Sequence, residues 1–352
     1  MNNILRYTNT KLQELLAENN FKKFNADQIF EWIYHKNELD FSKMTNLSLS
    51  LRDFLKNNFS NNLLTQLICQ ESADGTVKFL FKLNDNKTIE TVLMPQSYGQ
   101  SVCVTTQVGC NMGCTFCASG IIKKIRNLEV DEIIAQVYYV NQYLRKKYSG
   151  DDKNPKSRVS HIVVMGIGEP LDNYQNTLDF IEILNSPKAF GIGARHITVS
   201  TCGLVPKIKA FADLQLQANL AISLHAPNDA IRNSIMPINK AFPLEKLMEA
   251  VDYYIEKTNR RITFEYILID NVNDSVENAH QLAQLIRGKN AYVNLIPYNE
   301  VRENPFRKST NIDSFFKALK SKKINCIVRK EFGADIDAAC GQLRAIREGI
   351  IK

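Results

Sequence analysis

The segment QVGCNMGCTFCASG places Cys110, Cys114 and Cys117 within eight positions. That is close enough for one loop to aim three thiolates at a single inorganic centre. Iron–sulfur clusters are ordinarily held by four thiolates, so three in one tight loop predict a [4Fe–4S] cubane with one iron left to a non-protein ligand. The open iron would be the reactive position. Gly109, Gly113 and Gly120 permit the backbone turns such a wrap requires, and Phe116 can keep water from the centre. A structural zinc site is the competing reading. Zinc takes four ligands, however, and no histidine or fourth cysteine follows at finger spacing.

Other polar groups fall where apolar runs end. HIVVMGIGEP is a strand pattern leading into a glycine-rich turn with Glu169 and Pro170 directly after it, and ligands in barrels and open α/β sheets bind at the C-terminal ends of strands. A carboxylate at that place can accept hydrogen bonds from a ligand ammonium. Ser200 and Thr201 in VSTCG, Ser223 and His225 in LAISLHAP, and Asn299 in NLIPYN end three later runs. Singly, each reads as a turn, a cap or a satisfied core residue; convergence from several strands carries the functional reading.

The elements that must position these groups alternate. SVCVTTQ, HIVVMG, HITVST, LAISLHA, RITFEYILI and YVNLIP are strand candidates. Between and after them, 130–144, 173–184, 244–257, 276–287 and 312–320 show helical spacing. Six such units predict parallel βαβ construction and a closed or partly open barrel. Residues 1–88 differ: LQELLAENNF, DQIFEWIYHK and LSLRDFLKNNF read as short amphipathic helices, and the stretch from Glu71 to Pro95 reads as a hairpin turning at Asn84–Lys87 and linking the two parts. The expected division is a small helical domain over 1–88 and an α/β core over 89–352. The polar segment KKYSGDDKNPKSR is expected to be a surface loop.

Composition bounds the class. The chain has 352 residues, 44% hydrophobic and 23% charged, which are ordinary globular proportions. No run approaches the roughly 20 apolar residues of a membrane span, and the first residues lack the order of a signal peptide, so a cytoplasmic protein is expected. In that compartment eight cysteines are thiols, ligands or catalytic groups, not a disulfide framework. The net charge of +7 suits a polyanionic partner.

CxxxCxxC with an aromatic before the last cysteine resembles the radical S-adenosylmethionine (SAM) superfamily. That resemblance implies that the open iron binds the amino and carboxylate groups of SAM and that SAM is cleaved to methionine and a 5′-deoxyadenosyl radical. The ordered series QVGCxxxCxFC, GEPL, VSTxG, SLHAP, NLIPYN and GADIDAACGQL narrows the match. Over nearly the whole chain the sequence is similar to the RlmN family of ribosomal RNA adenine-C2 methyltransferases. The fold so implied is a partial (β/α)6 barrel with a small N-terminal helical domain that engages RNA. The substrates implied are an adenosine of 23S rRNA and one beside the tRNA anticodon, with two SAM molecules consumed per turnover. The enzyme would be a monomer served by a reducing electron donor such as flavodoxin. Glu169, Pro170, Ser200, Ser223, Leu224, His225 and Asn299 would line the SAM site. A related enzyme type that methylates adenine at C8 shares the cluster and both additional cysteines, but the QVGC and GEPL contexts favour C2.

The resemblance also assigns residues that pattern alone would pass over. Carbon C2 of adenine is electrophilic, so a methyl cation equivalent has the wrong polarity and a radical route is needed. Cys340 matches the cysteine that first accepts a methyl group, from which hydrogen is then abstracted before addition to adenine. Cys103 matches the cysteine that releases product through a transient disulfide with Cys340, and Glu90 matches the base near the adenine. On pattern alone Glu90 is a solvent-facing hairpin glutamate. Cys69, Cys202 and Cys326 take the default of small buried apolar residues. Lys123, Lys124, Arg126 and residues 145–147 are candidate phosphate contacts.

Overall fold

A computed structural model describes residues 1–62, 64–148, 154–301, 304–336 and 338. Cys340, most of the GADIDAACGQL segment and residues 149–153 of the expected polar loop lie outside the described residues.

Ten strands form one sheet: β1 (Thr65–Glu71), β2 (Val77–Lys82), β3 (Thr88–Gln96), β4 (Gly99–Cys103), β5 (Val159–Val164), β6 (Ile197–Thr201), β7 (Asn219–Ser223), β8 (Ile262–Leu268), β9 (Ala291–Pro297) and β10 (Cys326–Val328). Each strand pairs with its neighbours in sequence, so the sheet order is the chain order. The first three pairings are antiparallel, and every pairing from β4–β5 to β9–β10 is parallel. Parallel strands need long crossovers, and helices supply most of them. They are α4 (Val130–Lys147), α5 (Tyr174–Asn185), α6 (Val205–Asp213), α7 (Asp229–Ile235), α8 (Leu244–Thr258), α9 (Val276–Leu285) and α10 (Ile312–Ser321). All six expected strands and all five expected helices are present. Sequence patterning missed β1, β10, α6 and α7.

Local chemistry fixes the crossover ends. α4 starts in a reciprocal capping box between Glu129 and Glu132, and the Asn228 side chain caps α7 by accepting from the Ile231 amide at 3.0 Å. Gln136, fully buried on α4, accepts from the Thr91 hydroxyl at 2.8 Å and the Thr105 amide at 2.9 Å and returns a bond to the Thr105 carbonyl at 2.9 Å. That clamp fixes the backbone just beyond β4, where the cysteine loop begins.

The first helices are α1 (Asn9–Glu18), α2 (Asn25–Phe30) and α3 (Leu49–Asn58). Leu12, Leu16, Ile29, Phe30, Leu51 and Leu55 join the same continuous apolar core as the barrel strands. Polar ties accompany that packing: Arg6 donates to Asp131 of α4 at 2.9 Å, and Lys188 to Asp27 at 2.7 Å. Among the described residues no helix is long and apolar enough to cross a membrane.

Cys202 and Cys326 are buried as expected, but Cys69 is exposed. It lies on β1, the outer edge of the sheet, whose residues face solvent along almost their whole length.

Candidate active site

The C-terminal ends of the parallel strands surround an open cavity of about 870 Å³. It is lined by Cys110, Cys114 and Cys117 beyond β4, Glu169 and Pro170 beyond β5, Ser200 and Cys202 at β6, Ser223 and His225 at β7, and Glu265 on β8. Groups far apart in sequence therefore converge as the strand-end pattern requires. Of the expected SAM-site residues, Leu224 is buried behind the wall, and Asn299 lines an adjoining cavity instead.

The cysteine loop is held by its own backbone. The Cys110 amide donates to the Ile122 carbonyl at 2.9 Å, and the Thr115 amide to the Ile235 carbonyl at the end of α7 at 3.0 Å. Gly109 has φ +74°, and a Cβ there would stand 2.4 Å from the Lys123 carbonyl oxygen, so only glycine fits. Phe116 is buried and meets His225 edge-on, with ring centroids 4.9 Å apart. Burial pushes the Cys110 thiol up to about 11 and the Cys114 thiol up as well. Without a cationic centre both are protonated, and thiolate ligation has to come with metal binding.

Glu169 closes the turn after β5. Gly168 has φ +107°, and a Cβ there would lie 2.6 Å from the Gln107 side chain, which itself accepts from the Glu169 amide at 2.9 Å. The Glu169 carboxylate accepts from the amides of Leu171 at 3.0 Å and Cys202 at 2.8 Å. Burial raises its pKa, and the donors around it oppose that rise. Burial, followed by the negative charge of Glu169, pushes the Cys202 thiol well up.

Arg232 is a residue that sequence reasoning missed. Its side chain on α7 is 0% exposed. It donates to the carbonyls of Cys202 at 2.7 Å, Leu224 at 3.1 Å and Ser223 at 3.2 Å, and to Asn239 Oδ1 at 2.9 Å. One guanidinium thus fixes the ends of two site-bearing strands. Its fork of donors explains the residue type, since lysine cannot reach four acceptors in this arrangement.

His225 adopts a left-handed backbone with φ +57°. Its Nδ1 accepts from the Ile267 amide at 3.0 Å, which places the ring proton on Nε2. Burial, then the charge of Arg232, lowers its pKa to about 3. The ring is a neutral donor on the cavity wall. Ser200 and Ser223 hydroxyls stand 3.4 Å apart beside it.

The adjoining cavity shares Met165, Ile296 and Arg329 with the first and is lined also by Met94, Cys103, Asn299, Phe332 and Ala338. Cys103 pairs across the sheet with Val92 and Val163. Glu90, two positions before Val92, projects to the same face of β3. It is 1% exposed with Lys78 Nζ at 3.6 Å, so the solvent-facing reading of this glutamate is wrong. Ala338 packs in one apolar cluster with Cys103 and Val92. The candidate phosphate contacts are largely engaged within the protein: Lys124 with Asp172 at 2.7 Å, Arg126 with Asp85 and Glu132 at 2.7 Å, and Lys147 with Glu71. Lys123 is exposed.

The donor set fits an iron–sulfur cluster better than a lone ion. Three thiols from one loop face the cavity, and among the described residues no three Cys, His, Asp or Glu groups are placed to hold a single metal. A cubane spreads its ligands wider than a single ion does, and three thiolates would leave one of its irons without a protein ligand.

Known proteins agree with this geometry. Residues 104–283 match the radical SAM superfamily, and residues 2–60 match the N-terminal domain of ribosomal RNA large subunit methyltransferases. A relative from Spiroplasma citri described as a probable dual-specificity RNA methyltransferase RlmN is 63% identical, covering 100% of both chains. One from Enterococcus faecalis with the same description is 57% identical over 96% of this chain and 94% of its own. The crystal structure of a radical SAM methyltransferase from Sphaerobacter thermophilus superimposes with a TM-score of 0.91 at 42% identity, covering 98% of this chain and 100% of that one. The chain belongs to the RlmN family of radical SAM RNA methyltransferases.

Proposed function

We propose that the larger cavity binds SAM against one [4Fe–4S] cluster on Cys110, Cys114 and Cys117, and that the enzyme methylates C2 of an adenosine in 23S rRNA and of an adenosine beside the tRNA anticodon. The observation that carries this reading is the meeting of the cysteine loop with Glu169, Ser200, Ser223 and His225 in one cavity at the strand ends. When bound, the cluster supplies the electron that cleaves SAM and so provides a hydrogen-abstracting radical.

The chain's own residues have distinct tasks. Glu169 and Pro170 shape the wall facing the cysteines, and Glu169 retains lone pairs for the ammonium of SAM beyond its two amide partners. His225 offers a neutral Nε2–H, and Ser200 and Ser223 offer hydroxyls. Cys340 accepts the methyl group and presents it to adenine, Cys103 afterwards attacks the Cys340 sulfur to free the product, and Glu90 receives the proton lost from C2. Support for a pairing of Cys103 with Cys340 comes from chain length: Ala338 contacts the cluster containing Cys103, and two further residues span at most about 7 Å. Asn299 lines the adjoining cavity together with Cys103. The helical part within residues 1–88 engages the RNA, and a reducing protein such as flavodoxin delivers the electrons.

Anaerobic reconstitution followed by nucleoside mass spectrometry tests the reading. The expected product from 23S rRNA and from tRNA is 2-methyladenosine. The 8-methyl isomer, or protein that holds zinc without acid-labile sulfide, would overturn it.

A further inference from the structure

Two carboxylates line the larger cavity, and they differ in one respect. Both oxygens of Glu169 accept backbone amides. Glu265, in the middle of β8 and 4% exposed, is only half satisfied. Its Oε1 accepts from Asn294 Nδ2 at 3.0 Å, whereas Oε2 has no hydrogen-bond partner among the described residues, and Nη1 of Arg329 stops at 3.8 Å. A buried carboxylate oxygen left without a donor is costly, and natural interiors rarely tolerate one unless something else completes it.

The surroundings say what kind of group that is. Ser223, Glu265 and Asn294 occupy matching positions on β7, β8 and β9, so their side chains form a polar row across one face of the sheet. Ser200 extends the row, its hydroxyl 3.4 Å from that of Ser223. The cysteines enter from the loop beyond β4, several strands away, so this row faces a different part of any ligand from the part that meets the cluster. A completing group must donate. Arg329 already provides positive charge close by, which disfavours a second cation and favours neutral hydroxyls. Two hydroxyls on adjacent carbons match a free carboxylate oxygen flanked by a serine.

We infer that Glu265 is a ribose-recognition residue, its Oε2 accepting from the vicinal hydroxyls of the nucleoside in the cavity while Ser223 and Asn294 hold it in place. The inference rests on the reading that this nucleoside is SAM. Arg329, shared by both cavities, pairs with the same oxygen at 3.8 Å, beyond hydrogen-bond reach, and its charge opposes the rise that burial imposes on the Glu265 pKa.

The experiment measures SAM and 2′,3′-dideoxy-SAM binding to the cluster-loaded enzyme by anaerobic equilibrium dialysis. Wild-type enzyme should bind the dideoxy compound about 10- to 100-fold more weakly, because the analogue leaves a buried acceptor unmatched. Glu265→Gln should lose a comparable factor for SAM yet bind the dideoxy compound about as well as wild type does, since the two changes remove one interaction. Iron content and the melting temperature establish that the variant is folded and loaded. If the variant fails to fold, the wild-type comparison alone still decides, because equal binding of both compounds by wild type overturns the inference. Undiminished discrimination by Glu265→Gln also overturns it and leaves the SAM site intact. Failure of wild type to bind SAM at all would instead overturn the reading on which the inference rests.

Discussion

Glu169 and Arg232 hold one residue from opposite sides: the Glu169 carboxylate accepts from the Cys202 amide at 2.8 Å, and Arg232 donates to the Cys202 carbonyl at 2.7 Å. The turn after β5, the end of β6 and helix α7 are therefore mechanically one unit. Because the cysteine loop also docks on α7 through Thr115, the three loop cysteines and the strand ends share a single support.

Replacing Arg232 should consequently disturb both sides of the cavity. Arg232→Leu leaves three buried carbonyls without their donor, and we expect a loss of about 3 kcal/mol or more in urea unfolding together with weaker SAM binding. Arg232→Lys should recover only part of each, since an ammonium cannot form the same fork. Unchanged stability in Arg232→Leu would contradict the clamp.

The three cysteine ligands should behave alike. Cys110→Ala, Cys114→Ala and Cys117→Ala are each expected to abolish cluster retention and SAM cleavage, read as loss of iron, of acid-labile sulfide and of the brown colour after anaerobic purification. Cys202→Ala is the control. Cys202 lies at the end of β6, outside the cysteine loop, so cluster content should stay near that of wild type. A variant lacking one of the three that kept a full cluster would refute the ligand assignment.

His225 gives a pH signature whose sign is fixed by its environment. The folded protein holds it at about 3 against an ordinary 6.5, so above 6.5 it is neutral in both folded and unfolded chains and has no effect on stability. As pH falls from 6.5 toward 3, only the unfolded chain takes up the proton, and stability declines by at most about 1.4 kcal/mol per pH unit from this group. His225→Gln should flatten that part of the stability profile in urea titrations between pH 7 and 4. An identical slope in variant and wild type would show that the imidazole is not held neutral.

Much of this arrangement is written locally and some of it is not. The cysteine loop announces itself because its spacing is dense, and the six strand runs because each is several residues long and rich in apolar residues. β10 has only three residues, too few for periodicity, and α7, with the sequence DAIRNSI, reads as a polar connector. The importance of Arg232 rests in part on the carbonyl of Cys202, 30 residues away, and that of Glu265 on neighbours on β7 and β9, none of which is near in sequence. Glu90 shows the same limit. Nothing in TIETVLMP distinguishes a solvent-facing glutamate from a buried one, and only the pairing with β2 and β4 decides.

On the proposed scheme, variants of Cys340 and Cys103 should fail at different stages. Cys340→Ala should keep its cluster yet place no methyl group on protein or RNA. Cys103→Ala should load the methyl and join adenine but be unable to attack the Cys340 sulfur, leaving a covalent protein–RNA adduct visible as an RNase-sensitive, high-mass band in denaturing gels. The double variant should show no such band. Normal turnover by Cys103→Ala would sink the two-cysteine scheme while leaving the cluster assignment untouched.

The most direct test of the central claim, that methyl transfer passes through a cysteine-borne group from which hydrogen is abstracted, follows the isotope. SAM carrying a trideuterated methyl group is supplied through a complete turnover, and the 2-methyladenosine released from the RNA is weighed by mass spectrometry. Abstraction from the methyl on Cys340 removes one deuterium before the carbon joins adenine, so the account requires a product methyl group with two deuterium atoms. A product retaining all three would mean that the methyl group moved intact, and would contradict the account.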